Sequence, residues 1–266
     1  MHGNARFLIR PITLGVIVSG MLGAAQAQDA AHLDVPYVPT PQAVVTSMLE
    51  LAKVTSNDFH IDLGCGDGRI AVTAAKDFGA RSLGIDLDPR RVAEATENAK
   101  QAGVSSRATF RQQNLFDADI SDATVVTMYL LPSVNLQLRP RILSELAPGT
   151  RVVSHAFNMG DWTADRTETI DRRTIYLWVV PAQIEGRWLM KQGNRDITLD
   201  IQQQYQTFSG TAMLGDRVAR ITNGRLNGPN AQFVLQIDGN PMIFSGRVSG
   251  NTINGLGSVW TASKRT

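Results

Sequence analysis

Asp62-Leu63-Gly64-Cys65-Gly66-Asp67-Gly68 stands between a short apolar run, Phe59–Leu63, and an alanine-rich stretch, 70–78, with helical spacing of its apolar residues. A strand that turns through glycines into a helix brings backbone N–H groups up to a ligand. Gly64, Gly66 and Gly68 allow the sharp turn without a Cβ clash. The first turn of the following helix then offers unpaired N–H groups to an anionic group. Such a loop by itself fits a dinucleotide as well as other ligands. Two features separate these. The spacing is G-x-G-x-G, whereas the dinucleotide fingerprint is G-x-G-x-x-G. Asp62 sits just before the loop, where a carboxylate would repel a pyrophosphate and attract an ammonium. Asp86 closes the next apolar run, 82–86, where its carboxylate can accept hydrogen bonds from both hydroxyls of a ribose. A purely structural turn requires neither carboxylate. Cys65 reads as a small space-filler, because no histidine partner is visible for a nucleophile. Asp67 either positions the ligand or caps the helix.

Outward from the loop, strands and helices alternate. Pro89 opens a helix through 102, and 108–111, 124–131 and 151–155 read as strands. A helix around 136–146 ends at Pro148-Gly149. Ahead of the loop, Thr40 is placed to cap a helix that has Pro41 at its first position and Val44, Val45, Met48, Leu49 and Ala52 on one face. The alternation implies an α/β fold with a mainly parallel sheet and helices on both faces. The segments 175–180 and 188–190 read as an added antiparallel pair at one edge. From about 185 onward helical periodicity disappears. Ile197, Leu199 and Ile201, and likewise Phe233, Leu235 and Ile237, alternate with polar residues between glycine-rich turns. That pattern specifies a small antiparallel β domain of six to eight strands. The expected organisation is a signal peptide at 1–27, a linker at 28–36, the α/β domain at 37–183 and the β domain at 184–266.

Residues 1–27 carry Arg6 and Arg10, then an apolar run over 12–25, then the small-x-small site Ala25-Gln26-Ala27. This is the pattern of a secretory signal, and the run is shorter than the ~20 residues of a membrane span. The expectation is therefore a periplasmic or secreted protein with no membrane span after cleavage. The whole chain carries a net charge of +2, and both charges belong to this segment, so the mature chain is neutral. A neutral chain without a basic run lacks the electrostatic footprint of a nucleic-acid binder. Cys65 is the only cysteine, so no internal disulfide forms, and the four histidines show no metal-ligand spacing.

From Tyr37 to about Trp188 the chain resembles the class I S-adenosylmethionine (SAM)-dependent methyltransferases, in the series Asp62, Gly64, Gly66, Gly68 and Asp86. Together with Tyr37-Val38-Pro39-Thr40-Pro41, Gly84-Ile85-Asp86-Leu87-Asp88-Pro89 and Tyr129-Leu130-Leu131-Pro132, it is similar to one branch of that superfamily. This branch includes the lysine methyltransferases of ATP-synthase subunit c and of the adenine-nucleotide carrier. The resemblance implies a Rossmann-like sheet with SAM as cofactor. It places the SAM contacts at Tyr37, Thr40, Asp62, Gly64, Cys65, Gly66, Gly68, Asp86, Leu87, Asn114 and Leu115, with adenine beside Asn114 and Leu115. The Asn114 oxygen would accept from the adenine amino group; the alternative is an ordinary polar turn. The acceptor would lie at the end of the fourth strand, with Tyr129 orienting it and Pro132 shaping the channel. The implied reaction is in-line methyl transfer to a protein lysine or a small amine.

Two departures matter. The Asn/Asp-Pro-Pro-Tyr/Phe motif of enzymes that methylate planar nitrogens is replaced by Met128-Tyr129-Leu130-Leu131-Pro132. The resemblance also leaves the β domain uncovered. An exported SAM-fold protein that binds a partner through the β domain without catalysis is the competing expectation. A nicotinamide-dependent oxidoreductase is disfavoured by the loop spacing and by Asp62.

Overall fold

The computed structural model describes residues 1–2, 37–237, 240–257 and 259–265. The expected signal peptide, apart from residues 1–2, and the whole expected linker lie outside them.

Helix α1 (Gln42–Leu51) buries Val44, Val45, Met48 and Leu49, as its spacing requires. Its N-cap is Pro41, and no side chain caps it, contrary to the expectation for Thr40. Thr40 is buried, and its hydroxyl lies 3.1 Å from His155 Nδ1, which removes it from capping. Then follow β1 (Phe59–Leu63), α2 (Arg69–Asp77), β2 (Arg81–Asp86), α3 (Pro89–Gln101), β3 (Ala108–Gln112), β4 (Val125–Met128), α4 (Pro132–Glu145) and β5 (Arg151–His155). All five strands pair in parallel. The edge is finished by antiparallel β6 (Arg166–Ile170) and β7 (Arg173–Val179), giving the order β3-β2-β1-β4-β5-β7-β6. The order reverses between β1 and β4, and a crevice at the carboxyl ends of the strands is the consequence.

Three expectations need correction. The fourth strand stops at Met128, short of 131, because Pro132 takes the first position of α4 and Leu131 is its extended N-cap. Helix α4 accordingly starts four residues before 136. The partner of β7 is β6, not the 188–190 segment, which belongs to the β domain.

That domain is a closed antiparallel barrel. It comprises β8 (Gly186–Gln192), β9 (Arg195–Gln204), β10 (Thr207–Leu214), β11 (Arg217–Asn227), β12 (Asn230–Ile237), β13 (Asn240–Ser249), β14 (Thr252–Gly255) and β15 (Trp260–Lys264), and β15 closes on β8. Inward-facing Trp188, Phe208, Phe233, Phe244 and Trp260 fill it. Trp260 meets Phe233 and Phe244 edge-on, with centroids 6.1 and 5.8 Å away. Gly246 is what admits that indole, since a Cβ there would come within 2.8 Å of it. The barrel is a packed core, with side chains where a larger barrel would have a lumen. Among the described residues no helix is long and apolar enough to cross a membrane.

Candidate active site

A cleft opens at the carboxyl ends of β1, β2 and β4. Its wall contains Tyr37, Thr40, Gly64, Cys65, Gly66, Asp86, Leu87, Asn114, Leu115 and Tyr129, ten of the thirteen residues singled out from the sequence. Asp62, Gly68 and Pro132 stand outside it. Asp62 is buried beneath the loop, Gly68 is the N-cap of α2, and exposed Pro132 begins α4.

The loop geometry follows from its glycines. Gly66 has φ +54°, and a Cβ there would come 2.6 Å from the Tyr37 ring. Gly68 has φ +77° and packs against Ala95 and Phe110 with no room for a side chain. Asp86 fixes the loop from the next strand. Its Oδ2 accepts from Gly66 N–H at 2.8 Å, and its Oδ1 accepts from Asp88 N–H at 2.9 Å. Each carboxylate oxygen retains acceptor capacity for a ligand hydroxyl.

Asp67 is not the N-cap of α2, which is Gly68, but its Oδ1 accepts from the N–H of Arg69, the first residue of that helix, at 3.3 Å. Arg69 Nε donates to its Oδ1 at 2.9 Å and Arg69 Nη2 to its Oδ2 at 2.5 Å, while Arg69 Nη1 donates to the Thr40 carbonyl at 2.9 Å. This ties the 37–40 segment to the loop. The Tyr37 phenol is raised above its usual range by burial and by Asp67 beside it, and Arg91 covers its ring at 4.5 Å. Asn114 Oδ1 accepts from Phe116 N–H at 3.0 Å, so the polar-turn role is real and uses one of its lone pairs. Burial pushes the Cys65 thiol far up, which leaves it inert.

Sequence reasoning missed the group that stands behind Asp62. His60 Nδ1 is 2.6 Å from Ser82 Oγ, His60 Nε2 is 2.7 Å from Thr127 Oγ1, and Thr127 Oγ1 donates to Asp62 Oδ1 at 2.6 Å. Full burial holds His60 at about 3, so it is neutral with one N–H. With Thr127 donating to Asp62, that N–H is on Nε2, and Ser82 donates to Nδ1. The donors run in one direction, from Ser82 through His60 and Thr127 to Asp62. Burial raises Asp62 to about 7; the Thr127 bond opposes this, and Asp86 and Asp67 add to it. A buried carboxyl with this poise binds a cation in exchange for its proton.

At the far wall, Tyr129 leaves β4 and lies over His155, with ring centroids 3.9 Å apart. Burial, with a smaller effect from Arg173, lowers His155 to about 4, so it too is neutral. The cavity thus offers an acidic end near Asp62 and Asp86 and an aromatic end at Tyr129.

A family model described as the ANTKMT methyltransferase domain matches residues 62–166, from the head of the glycine loop to the first residue of β6. The chain is similar to a protein-lysine N-methyltransferase of Saccharolobus islandicus (strain REY15A). The two are 48% identical over 151 residues, covering 55% of this chain and 94% of that protein. The chain is also similar to the adenine nucleotide translocase lysine N-methyltransferase of Mus musculus, at 36% identity over 132 residues. That match covers 49% of this chain and 57% of the mouse protein, little more than half its length. Among solved structures it resembles an RNA methyltransferase from Salinibacter ruber in complex with S-adenosyl-L-homocysteine. The identity is 56% and the TM-score 0.55, over 55% of this chain and 96% of that one.

Proposed function

The chain belongs to the SAM-dependent methyltransferase family that includes the lysine methyltransferases of ATP-synthase subunit c and the adenine-nucleotide translocase, and we propose that its acceptor is the ε-amino group of a protein lysine. The carrying observation is the similarity to the archaeal lysine methyltransferase over 94% of that protein's length. The RNA methyltransferase from Salinibacter ruber makes RNA the rival acceptor. Against RNA stand the net neutrality of residues 28–266, which contain no basic run, and the Met128-Tyr129-Leu130-Leu131-Pro132 sequence at the end of β4, which replaces the motif suited to planar nitrogens.

SAM supplies a methyl group on a sulfonium, a leaving group that needs no further activation. The chain's own residues then have to bind, orient and exclude water. In this reading Asp62 holds the ammonium of the methionine part and Asp86 the ribose hydroxyls. Asn114 and Leu115 border the adenine, while Tyr37 and Thr40 cover the loop. Tyr129 orients the acceptor nitrogen. Pro132 acts indirectly, by starting α4 and so turning 129–131 out of the sheet. Incubation with methyl-labelled SAM and a cell lysate, followed by protease or nuclease, tests the acceptor class. Protease-sensitive label supports lysine, and nuclease-sensitive label supports RNA.

We further propose that residues 1–27 export the chain to the periplasm or beyond, with cleavage after Ala27. The mass of the mature N-terminus in fractionated cells tests this: an intact Met1 in the cytoplasmic fraction contradicts it.

A further inference from the structure

The archaeal relative is matched almost completely by 151 residues, too few to include both the sheet and the barrel. Lysine methylation in that relative therefore needs no barrel, and the barrel here requires an explanation of its own. It touches the methyltransferase domain through Arg225, which pairs with Asp165, through Gly228 and Pro229 beside Gly149, and through the β9–β10 turn, Tyr205-Gln206. Gln206 is buried, and its side-chain amide spans two groups of the other domain. Its Oε1 accepts from Trp162 Nε1 at 3.0 Å, and its Nε2 donates to the Thr163 carbonyl at 2.7 Å. Tyr205 has φ +54°, stacks on the Trp162 ring at 5.9 Å and donates to Asp161 Oδ2 at 3.0 Å. Arg139 joins the same group through Asp161 and through the Met159 carbonyl at 2.7 Å.

The gripped segment leads straight back to the cavity. Residues 156–163 follow β5, and Asn135 Nδ2 holds the Phe157 and Asn158 carbonyls at 3.1 and 3.3 Å. Ala156 has φ +66°, a conformation that L residues rarely adopt and that persists only where the surroundings hold it. The turn it makes, closed by Phe157 N–H donating to the His155 carbonyl at 2.8 Å, brings the Phe157 ring to 6.2 Å from Tyr129, nearly parallel. His155 lies against the same Tyr129 ring and is bonded to Thr40, another residue of the cavity wall.

We propose that Gln206, with Tyr205, is a positioning residue for the methyl acceptor: by gripping 161–163 it fixes the Ala156–Phe157 turn that holds Tyr129 at the cavity wall. The inference rests on assigning the Tyr129 end of the cavity to the acceptor. It gives the barrel a role in acceptor binding and none in SAM binding, because no residue of the grip touches the glycine loop. Removing the Gln206 amide leaves the buried Trp162 indole N–H without a partner and frees the Thr163 carbonyl, so the segment loosens.

The test uses the full chain, with a synthetic lysine-containing peptide as acceptor. In Gln206→Ala, amide exchange over 156–163 is expected to rise about tenfold and the KM for the peptide about fivefold. The Kd for SAM and kcat should stay within about twofold, a split that general loss of folded protein would not produce. Tyr205→Phe, which loses only the exposed bond to Asp161, should give a smaller rise in the same direction, and it carries the test if Gln206→Ala does not fold. Unchanged exchange overturns the proposal, and so does raised exchange with an unchanged peptide KM. If the unaltered chain methylates no peptide, the lysine reading fails, while the exchange measurement still judges the grip.

Discussion

Thr127 Oγ1 lies 2.6 Å from Asp62 Oδ1 and donates to it, joining the strand before the glycine loop to the strand that ends at the acceptor side. The bond gives the buried carboxylate a donor from its own sheet and leaves its other oxygen for a ligand. The same hydroxyl accepts from His60, so the polar row under the loop is satisfied internally.

Burial places Asp62 near 7, and the sign of the pH effect follows. A ligand ammonium favours the charged carboxylate, so below pH 7 binding must first expel a proton. The Kd for SAM should be flat above about pH 8 and weaken toward about tenfold per unit below 7. Titration calorimetry in buffers of different ionisation enthalpy counts the released proton. Thr127→Val, which removes the donor that favours the charged form, should move the break to higher pH.

Asp62→Asn should separate stability from binding. The folded-state value of Asp62 lies above the ordinary carboxyl value, so the protein loses stability as pH rises from about 4 to about 7 and does not regain it above. Asparagine keeps an oxygen for Thr127 and carries no buried charge. At pH 8 this variant should unfold about 3 °C higher than the unaltered chain. At pH 4 the difference should vanish, and SAM binding should weaken at least tenfold at pH 8.

Gly66→Ala should damage the site by two routes. Its φ of +54° costs an L residue about 1 kcal/mol, and the added methyl would strike the Tyr37 ring 2.6 Å away. The expected result is at least a tenfold weaker Kd for SAM with a modest fall in Tm. A Gly66→Ala variant that binds SAM normally would remove Tyr37 from the site.

Tyr129→Phe keeps the packing on His155 and Phe157 but deletes the phenol. If Tyr129 orients the acceptor, kcat/KM for the acceptor should fall about tenfold, mostly through a raised KM, with an unchanged Kd for SAM. An unchanged kcat/KM would reduce Tyr129 to packing.

The glycine loop, Asp62 and Asp86 were legible because glycine at a turn and a carboxylate at a strand end have few other uses. The parallel strands were legible for a similar reason, as short apolar runs between helices. Thr127 and His60 were not: inside the strands they look like ordinary β formers, although His60 and Asp62 are two apart and so share a face. Strand β6 left no signal, because Arg166-Thr167-Glu168-Thr169 is a polar edge that buries little. Trp188 reads as a partner of 175–180 but belongs to the barrel, because alternation identifies a strand and not its partner. Gln206 was invisible for a related reason. A glutamine in a turn reads as solvated until the opposite domain supplies Trp162 and Thr163 as its partners.

Lysine methylation is tested most directly by incubating the chain with SAM and a lysine-bearing protein, then mapping added methyl groups by mass spectrometry. The expected result is methylation confined to lysine ε-amino groups and abolished with Asp62→Asn at pH 7. Methyl groups found only on RNA, or no transfer despite measurable SAM binding, would contradict it.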